Sequence, residues 1–183
     1  MSVTSASCIS SRAAGLGSCD ALIKVYVANR PPLDEYLHLD EVRAMREGEI
    51  KQIADLTGNH WRKIFNVYAK FVWALKMDAL TKSGYQSWQQ YRDEHLLQSG
   101  SGKELLFTAP VFNQTSGDVL HIIMGKGYAA ALNLPPLIWL NELFAINEDQ
   151  RIIVCPYFDY RQLSNVRIEF LVALIHKYFP GEY

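Results

Sequence analysis

Ten consecutive residues hold the densest chemistry in the chain: Pro156-Tyr157-Phe158-Asp159-Tyr160-Arg161-Gln162-Leu163-Ser164-Asn165. Three aromatic rings, a carboxylate, a guanidinium and an Asn follow directly on the apolar run Arg151 to Cys155. Aromatic faces can stack a base, and Arg can hold a phosphate or a carboxylate. Tyr157, Tyr160, Arg161 and Asn165 are therefore candidate ligand-binding residues. The same segment also reads as a packed loop in which Asp159 pairs with Arg161 or caps the next helix. Asn29-Arg30 occupies the equivalent place after the apolar run Leu22 to Ala28. In open parallel sheets, ligands bind outside the C-terminal ends of the strands, so both turns are expected to open on one side.

Other chemistries find little purchase. The five histidines, His38, His60, His95, His121 and His176, never pair at i+3 or i+4, so no metal site is predicted. There is no GxSxG elbow and no Walker A loop. Gly125-Lys126-Gly127-Tyr128-Ala129-Ala130 matches G-x-G-x-x-A after a strand. Its glycines could admit a phosphate at a helix start, but a tight strand-to-helix turn is the favoured reading, since glycines serve that use generally and Pro135 ends the helix early. No cofactor is implied. Cys8, Cys19 and Cys155 form no CxxC pair, which favours free thiols in a reducing, cytoplasmic setting. No apolar run reaches the roughly 18 residues of a membrane span.

The elements that must position these residues follow from hydrophobic period. Residues 22–28, 105–107, 119–124 and 151–155 read as strands, and Trp61 to Leu75 as a helix with one apolar face. Short helices are expected over 40–47, 49–56 and 85–95, after Gly127, and within 135–144. A closing helix would bury Val166, Phe170, Val172, Ala173, Ile175 and Phe179. Strands alternating with helices predict an α/β domain, three-layer α/β/α with a mainly parallel central sheet. The small residues before Asp20 suggest a flexible tail over 1–20, leaving a single domain over 21–183. At 183 residues the chain buries roughly 70 % of its extended surface, enough to fold without staples. With 18 basic against 19 acidic residues, the whole-chain charge does not advertise a polyanion coat.

Four segments together resemble the uracil-DNA glycosylase superfamily. VYVANRPPL is similar to its strand followed by G-x-N-P-G, and GNHWRKIFN (Gly58 to Asn66) to its G-N-x-F-W-K helix start. VLHIIMGKGYAAAL (Val119 to Leu132) is similar to its strand ending in G-K-x-A. IIVCPYFDYRQLSNVR (Ile152 to Arg167) stands where the family has a strand ending in His-Pro-Ser or Asn-Pro-Ser. Order and rough spacing agree from about residue 22 to 179, and the chain also looks like a small bacterial family sharing this fold with altered site residues.

The resemblance implies a glycosylase-like fold and hydrolysis of the N-glycosidic bond of a flipped base. By position, Asn29 matches the water-positioning residue, with Asp159 as a second candidate for that task. Asn113 sits as the base-reading Asn does. Cys155-Pro156-Tyr157 replaces His-Pro-Ser, so the electrophilic His and the phosphate-contacting Ser are both missing. Arg30 and Pro31 replace the expected Pro and Gly. The expectation is thus a cleft binding a nucleobase-containing or small anionic ligand, with Asn29, Arg30, Tyr157, Asp159, Tyr160, Arg161 and Asn165 on its walls. Nucleic-acid binding would be weak, with no membrane partner and no assembly state implied. The alternative is a non-catalytic interaction protein that keeps the fold without the site.

Overall fold

Ile23, Val25 and Val27 alternate with Lys24 and Tyr26, and a strand sends the two sets to opposite faces of a sheet. The computed structural model describes residues 13–112 and 117–183. In chain order its elements are β1 (Gly15–Gly17), β2 (Ile23–Tyr26), α1 (Asp34–Leu37), β3 (Val42–Arg43), α2 (Glu49–Thr57), α3 (Asn59–Lys82) and α4 (Trp88–Glu94). They continue with β4 (Lys103–Leu106), β5 (Leu120–Met124), α5 (Lys126–Ala131), β6 (Ile138–Trp139), β7 (Ala145–Asn147), β8 (Ile152–Cys155) and α6 (Asn165–Tyr178).

Eight strands form one sheet in the order β3-β1-β4-β2-β5-β8-β7-β6. Its centre, β4-β2-β5-β8, is parallel throughout, with Val25 opposite Leu105 and Ile122, and Ile122 opposite Ile153. The predicted strands at 119–124 and 151–155 are β5 and β8, and they pair in parallel. The sheet as a whole is mixed: β3 pairs parallel to β1, β1 runs antiparallel to β4, and β6, β7 and β8 form an antiparallel meander. The 135–144 segment is accordingly a strand and a turn, not a helix. The Asn141 side-chain oxygen accepts from the backbone N–H groups of Leu143 and Phe144 and so closes the β6–β7 turn.

The helices are unevenly shared. Side chains of α2, α3, α4 and α6 pack with Ile23, Val25, Leu105, Ile122 and Ile153 on the first face. The second face is covered by α5 and irregular chain, through Tyr26, Leu106, Ile123, Ala129 and Val154. Trp61, Ile64, Phe65, Tyr68, Phe71 and Val72 of α3 are buried as the helical spacing requires. The closing helix has a different phase from the expected one. Ile168, Leu171, Leu174 and Ile175 face inward, while Val166 is 74 % and Phe170 40 % exposed. Apolar residues lie nearly all round α6, so its pattern alone does not select a buried face.

Two further expectations are corrected. The predicted tail over 1–20 includes β1, whose residues are buried; residues 1–12 lie outside the described residues. β1 is built from glycine because it lies hard against β4. A Cβ at Gly15 would sit 2.4 Å from the Leu105 carbonyl oxygen, and one at Gly17, where φ is +134°, 2.1 Å from that of Lys103. The predicted helix over 40–47 is extended instead. β3 pairs with β1, and Arg43 reaches the buried Glu49 carboxylate at 2.7 Å, so long-range partners override local helix preference.

On the second face, Lys24, Tyr26, Glu104 and His121 form a polar group amid apolar neighbours. The Lys24 ammonium lies 3.1 Å from a Glu104 carboxylate oxygen, and Tyr26 Oη 2.8 Å from His121 Nδ1. Burial, reinforced by the Lys24 charge, pushes His121 down to about 4, while burial raises Glu104.

Removing α3's aromatic anchors by Trp61→Ala or Phe65→Ala should each cost about 3–5 kcal/mol in urea unfolding. For His121 the unfolded ring titrates near 6.5 and the folded ring lower, so the unfolded state takes up the proton first. Stability should fall as pH drops from about 6.5 towards about 4, by up to about 1.4 kcal/mol per pH unit. Glu104 acts in the opposite sense, because its raised value favours the folded state in acid. The comparison of wild type with His121→Gln therefore isolates the histidine: the variant should show a flatter acid limb, and an unchanged slope would place the ring in water.

Candidate functional site

Within the parallel centre the strands follow chain order 2-1-3-4, counting β2 as first. The connections from β2 and β5 leave in opposite directions, which makes the gap above their C-terminal ends a topological switch point. Asn29 follows β2 there, Gly125 follows β5, and Pro156-Tyr157 follows β8. The start of α3 reaches the same place because Trp61 is seated edge-on against Phe107, just beyond β4, with centroids 6.2 Å apart.

Tyr157 is the hub. Its hydroxyl lies 3.1 Å from His60 Nε2, and the two rings are tilted by 30° with centroids 5.7 Å apart. Burial raises the Tyr157 hydroxyl, hydrogen bonding from the Asn29 side chain pulls it back, and the Asp159 charge raises it again, leaving it pushed up to about 12. It is a protonated phenol at neutral pH. A Cβ at Gly125, where φ is +92°, would lie 3.9 Å from the Tyr157 ring. His60 and Asn29 are exposed and Tyr157 half-buried, so an aromatic platform with an amide beside it faces solvent. An exposed ring pair of this kind can stack a planar group, and an amide both donates and accepts at its edge.

The other expected residues have different employments. Asp159 is buried and accepts from the Arg161 backbone N–H at 3.0 Å, the Arg161 guanidinium at 2.9 Å and the Lys63 ammonium at 3.1 Å. Led by the Arg161 bond, these partners hold its carboxyl well below the usual carboxylate range. Asp159 is thus a structural anion that shapes its own turn, as the packed-loop reading had it. Arg30 donates to the carbonyls of Tyr36, Leu37 and Leu39 at the end of α1, and lies over the Phe107 ring. Tyr160 is exposed, with the Lys63 ammonium 5.2 Å from its ring centre. Asn165 opens α6 and is exposed on the surface. Asn113 lies outside the described residues. Cys155 is wholly buried, and burial pushes its thiol far up, so it offers no nucleophile.

Beside the platform, Arg62, Lys63 and Lys70 of α3 line a cleft of about 320 Å³ with Asn59, Asn66 and Tyr160. It holds three cations and no carboxylate. A larger cleft of about 590 Å³, between α2, α3 and α4, balances Arg46, Lys51, Arg62 and Arg92 against Glu47, Asp55, Asp93 and Glu94. The smaller cleft is the better anion site on charge alone. His60 and Lys63 were missing from the sequence-based site. Their signal was available in GNHWRK, where the buried positions Trp61, Ile64 and Phe65 leave His60 and Lys63 on an outer face, one turn apart. Among the described residues, no three His, Cys, Asp or Glu side chains group to hold a metal ion, and no helix is long and apolar enough to cross a membrane.

A family model matches residues 14–176, from the edge of β1 into α6. The chain belongs to DUF6942, a family of unknown function. No curated protein and no solved structure matches the chain. The DUF6942 match takes in β1, so residues 14–20 are part of the shared domain.

The Asp159 cluster provides a direct check on its structural role. A carboxylate with a lowered folded value contributes stability above its unfolded pKa, and that contribution is lost as pH falls towards the folded value. Asp159→Asn should reduce stability by about 1 kcal/mol at neutral pH, with the deficit closing below about pH 4. A deficit that persists unchanged in acid would mean that the carboxylate's charge contributes nothing.

Proposed function

We propose that this protein binds a nucleobase-bearing anionic ligand at the C-terminal ends of β2, β5 and β8, with the base against Tyr157 and His60. The convergence of Asn29, His60 and Tyr157 beside a carboxylate-free basic cleft carries this reading. Asn29 addresses the base edge, and Arg62, Lys63 and Lys70 take the phosphates. Lys63 divides its charge between the ligand and Asp159, and Arg62 pairs with Asp55 at 3.1 Å, so binding is weak and salt-sensitive. The likeness to uracil-DNA glycosylases supports the same place in the fold, and the parallel order of β4-β2-β5-β8 suits a glycosylase-like domain. His60 brings an imidazole to the turn where Cys155-Pro156-Tyr157 lacks one.

Hydrolysis is a lesser part of the proposal. A water at the glycosidic carbon needs an acceptor, and the best acceptor type, a free carboxylate, is missing because Asp159 is closed by two cations. Asn29 alone can orient that water. A second reading, an interaction protein without a ligand site, draws on the internal engagement of Arg30, Asp159 and Arg161.

Fluorescence anisotropy with a labelled single-stranded oligonucleotide separates these readings. Three contacted phosphates predict a slope of about −2 for log affinity against log salt. Tyr157→Ala should lose about 1–3 kcal/mol of binding, the worth of one stacked base. Uracil-containing single- and double-stranded DNA should show no excision above background. No binding at low salt would favour the interaction protein, and efficient excision abolished by Asn29→Ala would establish a true hydrolase.

A further inference from the structure

Asn59 and Asn66 both line the basic cleft of about 320 Å³ on α3, and each has an arginine at its side chain. Arg62 Nη1 donates to Asn59 Oδ1 at 3.0 Å, and Arg92 Nη1 donates to Asn66 Oδ1. A guanidinium only donates, so each amide must turn its oxygen to its arginine. The NH2 end of each amide is thereby the end left for a ligand. Both arginines are held in turn, Arg62 by Asp55 at 3.1 Å and Arg92 by two bonds to Asp93. The Trp88 ring stands 5.5 Å from the Arg92 guanidinium and 5.1 Å from the Lys70 ammonium, so one ring steadies two cations.

The carboxylates that hold these cations stand outside the cleft. Asp55, Asp93 and Asp159 orient Arg62, Arg92 and Lys63, yet none of the three lines it. With the amide oxygens turned to arginines, the polar lining offers ammonium, guanidinium and NH2 groups, and only the Tyr160 hydroxyl both donates and accepts. Such a lining suits an oxyanion, which brings lone pairs and negative charge together. It opposes a cation or a neutral amide, whose own N–H groups would find almost no acceptor. We propose that Asn59 and Asn66 are the specificity-determining donors of a phosphate site on α3. The site rests on the nucleotide reading given above and deepens it: Arg62, Lys63 and Lys70 meet the charge of the phosphate, and the two NH2 groups fix its oxygens. Terminal phosphates of a free nucleotide and backbone phosphates of a single strand share this chemistry.

Isothermal titration of the full chain at low salt, with pyrophosphate, a nucleoside triphosphate and a single-stranded oligonucleotide, tests this. Asn59→Asp and Asn66→Asp each keep an oxygen for the arginine and exchange the NH2 for a second oxygen. The thermal melt should therefore hold or rise, while affinity for every probe that the wild type binds should fall at least about tenfold. Gln52→Glu adds the same charge at an exposed position of α2 outside the cleft, and should leave affinity close to that of the wild type. Pyrophosphate bound as tightly as the triphosphate would assign terminal phosphates; an oligonucleotide bound with pyrophosphate at background would assign a strand, and either supports the site. Affinity indifferent to both Asp variants, an equal loss in Gln52→Glu, or no binding of any probe would each overturn it. Tyr157→Ala keeps this site apart from the base platform. Base-bearing probes weakened by Tyr157→Ala but not by Asn66→Asp would leave the platform standing and remove the amide donors. Pyrophosphate weakened by Asn66→Asp, with triphosphate binding indifferent to Tyr157→Ala, would do the reverse.

Discussion

Trp61, Phe65, Tyr68 and Phe71 lie along one side of α3 and are almost wholly withdrawn from water against the sheet. The buried Tyr68 hydroxyl donates to the Glu104 carbonyl at 2.9 Å, which fixes the helix along its axis as well as across it. Phe158, just beyond β8, closes edge-on against both Tyr68 and Phe71. The same seating therefore assembles the core and sets the turn after β8. It also delivers His60 and Lys63 from the start of the helix to Tyr157 and Asp159. Core packing and candidate chemistry are held by one contact surface, so a change that shifts α3 shifts both.

Charge is distributed with similar economy. Arg43 and Tyr36 meet the buried Glu49, Lys63 and Arg161 meet Asp159, and Lys24 meets Glu104. Buried carboxylates need such partners, since an unpaired one would give up its charge. The consequence for function is that the most conspicuous ionic residues stabilise turns and the sheet. What stands at the strand ends is the Tyr157–His60 ring pair with the Asn29 amide, beside Lys63 and Arg62, which are themselves paired with Asp159 and Asp55.

The two faces of the sheet have different characters. The helical face is packed by large aromatic and branched side chains, whereas the second carries the Tyr26–His121 and Lys24–Glu104 pairs beneath short and irregular cover. The glycine strand β1 belongs to the same economy of space: it can approach β4 only because it lacks side chains on its glycines.

Local pattern determined a good deal by itself. Short, nearly continuous apolar runs at 22–28, 119–124 and 151–155 and the helical stripe of Trp61 to Val72 specify the central strands and the main helix, because strands buried on both faces and a helix buried on one leave these patterns. Strand-end logic also located Asn29 and Tyr157. Only the tertiary structure decided which charges are free. Asp159 and Arg161 look equally like a site and a salt bridge in sequence, and the outcome depends on Lys63, ninety-six residues away in the chain. The same holds for Arg30, whose acceptors are carbonyls that any sequence would have, and for His60, which joins Tyr157 across ninety-seven residues. β1 and the inward face of α6 were likewise settled by packing, since glycine has no pattern of its own and α6 is apolar on both sides. Side-chain period reports which surface prefers to leave water; it carries no record of which distant partner will meet it there.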